Sequence, residues 1–151
     1  MKRASSGVLV WLLLSANAFA SLGGTVATVE ADRVQTKSAL IGITNQAGYT
    51  VHTILSPSGT TIREFYGSNG VIFGVAWQGP WQPDLRQLFG TYFEPYQRAA
   101  QTARKAHKTR GHVAIDDGSL VVNIGGHLHA IVGAAYVPQL IPAGVDPGVV
   151  R

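Results

Sequence analysis

The amino-acid sequence predicts an α+β domain: an antiparallel β-meander of three strands, a central helical region, then three further antiparallel strands. Three observations lead there. Residues alternate with period two from Tyr49 to Leu55 and from Thr60 to Tyr66, and an almost continuously apolar run follows from Val71 to Trp77, with turn residues between them. A 3.6-residue apolar period then runs from Leu85 to Tyr96. The alternation returns from His112, punctuated by Asp117-Gly118 and Gly125-Gly126.

Each element has a local reason. Tyr49, Val51, Thr53 and Leu55 alternate with Thr50, His52 and Ile54, the spacing of a strand. Ser56-Pro57-Ser58-Gly59 turns the chain, with Pro57 presetting φ and Gly59 tolerating a positive one. Thr60 to Tyr66 is the second strand, with Ile62, Glu64 and Tyr66 on one face and Thr61, Arg63 and Phe65 on the other. Asn69-Gly70 is a strong hairpin signal, and Val71 to Trp77, almost continuously apolar, is the third strand. Gln78-Gly79-Pro80-Trp81-Gln82-Pro83 ends the meander. Asp84, with Gln87 three residues on, has the spacing of a capping box. Leu85, Leu88, Phe89, Tyr92, Phe93 and Tyr96 share one helical face. Gly90 and Pro95 weaken the middle, which predicts a kinked helix from Leu85 to His107 or two helices meeting near Glu94. The last strands are His112 to Asp116, Leu120 to Ile124 and His127 to Tyr136.

The ends are read differently. Lys2 and Arg3, the apolar run Val8 to Leu14, and Ala18-Phe19-Ala20 form the pattern of a secretory signal peptide cleaved after Ala20. The division is therefore residues 1–20 signal peptide, 21–48 a flexible arm, 49–137 one domain and 138–151 an extended tail. Within the arm, Val29 to Lys37 has the composition of a short helix with Thr28 as its cap, and Leu22-Gly23-Gly24 is expected to be flexible. The tail carries Pro138, Pro142, Gly144, Pro147 and Gly148. The expected destination is the periplasm or the medium, with nothing left to span a membrane after cleavage.

Composition narrows the chemistry. With no cysteine there is no disulfide, thiolate nucleophile or lipidated N-terminus. The chain has 12 Lys and Arg against 8 Asp and Glu, and losing Lys2 and Arg3 leaves ten against eight. That balance is close to neutral, and export argues against a nucleic-acid partner.

Between Thr61 and Phe93 the sequence TIREFYGSNGVIFGVAWQGPWQPDLRQLFGTYF resembles the family called domain of unknown function 2844, as does the later GGHLHAIVGAAYVPQLIPAGV. The similarity spans roughly Tyr49 to Val145, with the segment VAWQGP and the following PDL its most specific part. The resemblance implies a small exported proteobacterial protein, periplasmic in a Gram-negative cell. It implies no activity and carries over no site residues.

Candidate sites come from the residues alone. His127 and His129, two apart on a strand, would share a face about 6.5–7 Å apart and could hold Zn or Cu with His112 or Asp116 as a third ligand. The same histidines would equally suit a solvated face. Arg98, Arg104, Lys105, His107, Lys108 and Arg110 make a basic helix end. It suits an anionic envelope component or an acidic protein, or simply the helix macrodipole. Trp81, in its Gly/Pro loop, could contact a partner or cover the helix start. Serines sit in turns and the carboxylates are scattered, so a small hydrolase has the least support. The leading expectation is a non-enzymatic accessory or binding domain using Trp81, Arg104, Lys105 and Lys108, with no cofactor. A metal-binding protein using His127 and His129 is the alternative.

Overall fold

The computed structural model describes residues 22–27, 37–107 and 112–151. The leader, nearly all of the helix expected over Val29–Lys37, and Lys108 and Arg110 lie outside the described residues.

The strands are β1 (Ala39–Gln46), β2 (Tyr49–Leu55), β3 (Thr61–Gly67), β4 (Ile72–Gly79), β5 (Val113–Asp116), β6 (Val121–His127) and β7 (Ala130–Tyr136). Helices α1 (Leu85–Phe89) and α2 (Phe93–His107) lie between β4 and β5. All seven strands form one antiparallel sheet in the order β1-β2-β3-β4-β7-β6-β5. This overturns the expected α+β arrangement of three strands, a helical region and three more strands. The two strand groups are one sheet because β4 pairs with β7, from Gly74 opposite Tyr136 to Gly79 opposite Ile131. That join spans the helices in sequence, so no local pattern announces it.

The additional strand, β1, falls inside the segment expected to be an arm. It is an edge strand, and Ile41 and Ile43 are more than half exposed while Gly42 is half-buried, so its apolar residues do not mark the covered face. A bulge between Leu40 and Gly42 blurs the period further. Leu22, expected to be flexible, is 1% exposed and sits in the core. Its amide donates to the Leu88 carbonyl at 3.0 Å, and the Ile72 amide donates to the Gly24 carbonyl at 2.9 Å.

The turns and caps follow their residues. Gly59 and Gly70 take φ of +84° and +73°, as their hairpins require. Asp84 caps α1, its Oδ1 accepting from the Arg86 amide at 2.8 Å and the Gln87 amide at 3.3 Å. The helical region breaks before Glu94, in a 3-10 turn over Gly90–Tyr92. Gly90 supplies the break with φ +49°, while Pro95 falls in the first turn of α2, where a missing amide costs no helical hydrogen bond.

The two sheet faces are closed by different means. On the first, Leu88, Phe89, Tyr96 and Ala100 of the helices pack on Val75, Trp77, Val122 and Ala135. Phe89 is fully buried, its ring 6.1 Å from that of Trp77 and 5.0 Å from that of Tyr96. On the second face, residues 138–150 form a strap whose Ile141, Val145, Val149 and Val150 pack on Phe65, Phe73 and Tyr49. Glycines make room for it. A Cβ at Gly74 would lie 2.6 Å from Val150 Cγ2, and one at Gly67 would lie 2.9 Å from Pro142 Cγ. The strap covers the Phe65–Phe73 end of that face and ends beside Gly74.

Candidate functional site

Register fixes what lies on the rest of the second face. Thr53 pairs with Arg63, Arg63 with Ala76, Ala76 with Ala134, Ala134 with Asn123. These residues form one row across five strands. The neighbouring row runs Leu55, Thr61, Gln78, Val132 and Gly125. His112 flanks Gly125, since a Cβ there would lie 3.3 Å from the His112 Cδ2.

The rows make a trough. Ala76 is fully buried in the second core, and Ala134, half-buried, leaves the middle low between the taller Arg63 and Asn123. Three interstrand steps separate those two, about 14 Å. A cavity of about 430 Å³ fills this space, rimmed by Arg63, Gln78, His112, Asn123 and Arg151 with Val132 and Ala134 in its floor. A second hollow of about 500 Å³ continues toward Thr53 and Thr61 and shares Arg63 and Gln78 with the first. Neither lining includes an aspartate or glutamate. Among the described residues, Arg63 and Arg151 form no ion pair; the described pair is Arg86 with Glu94, at 3.2 Å on the other side of β4 in sequence. Arg151 is placed by its neighbour Val150, 6% exposed in the second core.

The residues singled out by sequence lie elsewhere. Trp81 follows β4 and is 52% exposed. Thr60 pins its backbone: the Thr60 hydroxyl donates to the Trp81 carbonyl at 2.7 Å, and the Trp81 amide approaches the same oxygen at 3.3 Å. The Trp81 ring meets His129 edge-on, with centroids 5.1 Å apart. His127 ends β6, and His129 lies in the Leu128–His129 turn with φ +64°. The shared strand face assumed for the two histidines is therefore not the geometry found. Among the described residues no three His, Asp or Glu side chains gather as a metal site. Arg104 and Lys105 are exposed on α2, and Lys108 is outside the described residues. Arg104 is near enough to Tyr96 to favour its phenolate, against the stronger effect of burial, which pushes the Tyr96 hydroxyl's pKa up.

Sequence reasoning missed Arg63, Gln78 and Asn123. Arg63 was visible only as one polar member of an alternating strand. What makes it notable is the non-local pairing of β3, β4, β7 and β6. It also missed a buried polar group on the helix-side face. His52 and Glu64 are 9% and 3% exposed and stand opposite one another on β2 and β3. The Tyr66 hydroxyl lies 2.8 Å from His52 Nε2, the two rings meeting edge-on.

No helix among the described residues is long and apolar enough to cross a membrane. Comparison with curated proteins and with solved structures returned no match to this chain. A family model described as "Protein of unknown function (DUF2844)" matches residues 18–150, and the chain belongs to that family.

Proposed function

We propose that this protein is an exported, non-enzymatic binding domain of the periplasm that engages its ligand through the open half of its second sheet face. The observation that carries the reading is the trough: a concave, cation-rimmed hollow on a seven-stranded sheet, beside the part of the face that the strap packs on. Pockets of this size with a few convergent polar groups commonly take small ligands. Rigid placement of Arg63 and Asn123 on strands keeps the cost of ordering them low. Export is supported by the sequence pattern alone: the Lys2-Arg3 start, the apolar run Val8 to Leu14 and Ala18-Phe19-Ala20.

Two experiments test this. Sequencing the N-terminus of protein from the periplasmic fraction should give Ser21; a chain that stays in the cytoplasm with Met1 would refute export. A photo-crosslinking residue at Val132, on the trough floor, should form a discrete adduct in cells that Arg63→Gln suppresses. The same residue at Gln101, exposed on α2, should not form it. Equal labelling from both positions, or none from Val132, would refute the open face as the binding surface.

A further inference from the structure

We infer that the trough is a site for a small amphipathic anion, one carboxylate or phosphate head on a short apolar body. This rests on the reading of the open face as the binding surface and adds the class of ligand.

The charge distribution sets the head group. Arg63 and Arg151 border the cavity, whose lining includes no aspartate or glutamate side chain, and Arg63 is half-buried. A guanidinium fork matches the paired oxygens of a carboxylate or phosphate, and such charge-assisted bonds are about twice as strong as neutral ones. Gln78 and Asn123 add amide donors, and His112 adds a ring nitrogen on the far rim. The five residues border the cavity from both sides of its floor.

The floor sets the body. Val132, 46% exposed, lies with Ala134, Gly125 and Gly133 between the polar rims. That surface offers no hydrogen-bonding side chain, so burying apolar atoms on it is favourable. Its flatness suits a planar ring or a short chain lying along the strands. A cavity of about 430 Å³ limits the body to a small one. A neutral amphiphile would leave the two guanidinium groups without an anion, and a purely polar anion would leave Val132 wet.

The test uses the mature protein and 8-anilino-1-naphthalenesulfonate, a planar anion with a fluorescent apolar body. Saturable one-site binding is expected, weakened about tenfold or more by Arg63→Gln. Val132→Glu, which places a carboxylate on an already exposed position, should weaken it at least as much while leaving the melting temperature unchanged. Octanoate and octyl phosphate should displace the dye and octanol should not; the better of the two acids identifies the head group. Equal dye binding by the native protein and both variants would overturn the site. Neutral N-phenyl-1-naphthylamine bound as tightly as the anion, lost in Val132→Glu and untouched by Arg63→Gln, would overturn the anionic class while leaving the open face a binding surface. Dye binding intact with no crosslink from Val132 in cells would instead remove the functional reading.

Discussion

Arg63 and Glu64 are neighbours on β3, and the sheet sends them to opposite faces with opposite fates. Glu64 is 3% exposed, under the helix-side face and across from His52. Arg63 stands at the edge of a trough whose lining includes no aspartate or glutamate side chain. The same strand thus supplies a buried polar group to a closed face and a charged group to an unfinished one. Burying a charge is expensive unless its surroundings compensate, which ties Glu64 to the closed packing around it. Arg63 is half-buried on the opposite face. The helices close the first face, and the strap packs on the Phe65–Phe73 end of the second.

That contrast can be broken from either side. The largest effect is expected on the closed face. Phe89→Ala removes a ring in contact with both Trp77 and Tyr96 and should cost about 3–5 kcal/mol in urea unfolding. A loss under about 1 kcal/mol would show that the helices are not what closes that face.

Next comes the strap. Gly74→Ala forces a methyl group to within 2.6 Å of Val150 Cγ2 and should cost about 1–3 kcal/mol. Amide exchange should then rise at Val149 and Val150, whose amides donate to the Asp146 and Pro147 carbonyls, while β4 and β7 stay protected. Loss of protection throughout the sheet would mean that strap and sheet unfold as one unit.

A smaller effect is expected at the loop that carries Trp81. Thr60 is fully buried, and its hydroxyl holds the Trp81 backbone. Thr60→Val should cost about 0.5–1.5 kcal/mol through the lost hydrogen bond to the Trp81 carbonyl and red-shift tryptophan emission as the loop loosens. Unchanged emission would show that the His129 contact alone positions the ring.

The smallest effect is a pH term at the β5–β6 turn. The Asp117 carboxyl is held below the usual carboxylate range by the Ser119 hydroxyl and by the Leu120 and Ser119 amides. A carboxylate with a lowered folded pKa stabilises the protein above its unfolded pKa, about 3.9, and loses that contribution as pH falls through the folded value. Asp117→Asn should therefore be slightly less stable than the native protein at pH 7, with the gap shrinking as pH falls from the unfolded value, about 3.9, through the lowered folded one. A gap that is constant across that range would remove the carboxylate's charge as the cause.

The sequence made some of this legible because the causes are local. Asp84 announces its cap, Asn69-Gly70 its hairpin and Leu85 to Tyr96 the face that reaches the core. What it hid is non-local. Edge position erased the pattern of β1, and the β4–β7 pairing joined segments on either side of the helices. The helical break went to Gly90 because a proline is harmless in a first turn. Arg63, Ala76, Ala134 and Asn123 are unremarkable one at a time and make a trough only when their four strands are side by side. Histidines two apart suggested a metal pair, but their spacing had meaning only on a continuous strand, and the chain turns between them.

Anion binding through Arg63 on the second face can be read residue by residue in a two-dimensional amide NMR titration with octanoate. Saturable shifts are expected at Arg63, Gln78, Asn123, Val132 and Ala134, and they should disappear in Arg63→Gln. Shifts centred on α2 or on Trp81, or none at millimolar octanoate, would contradict it.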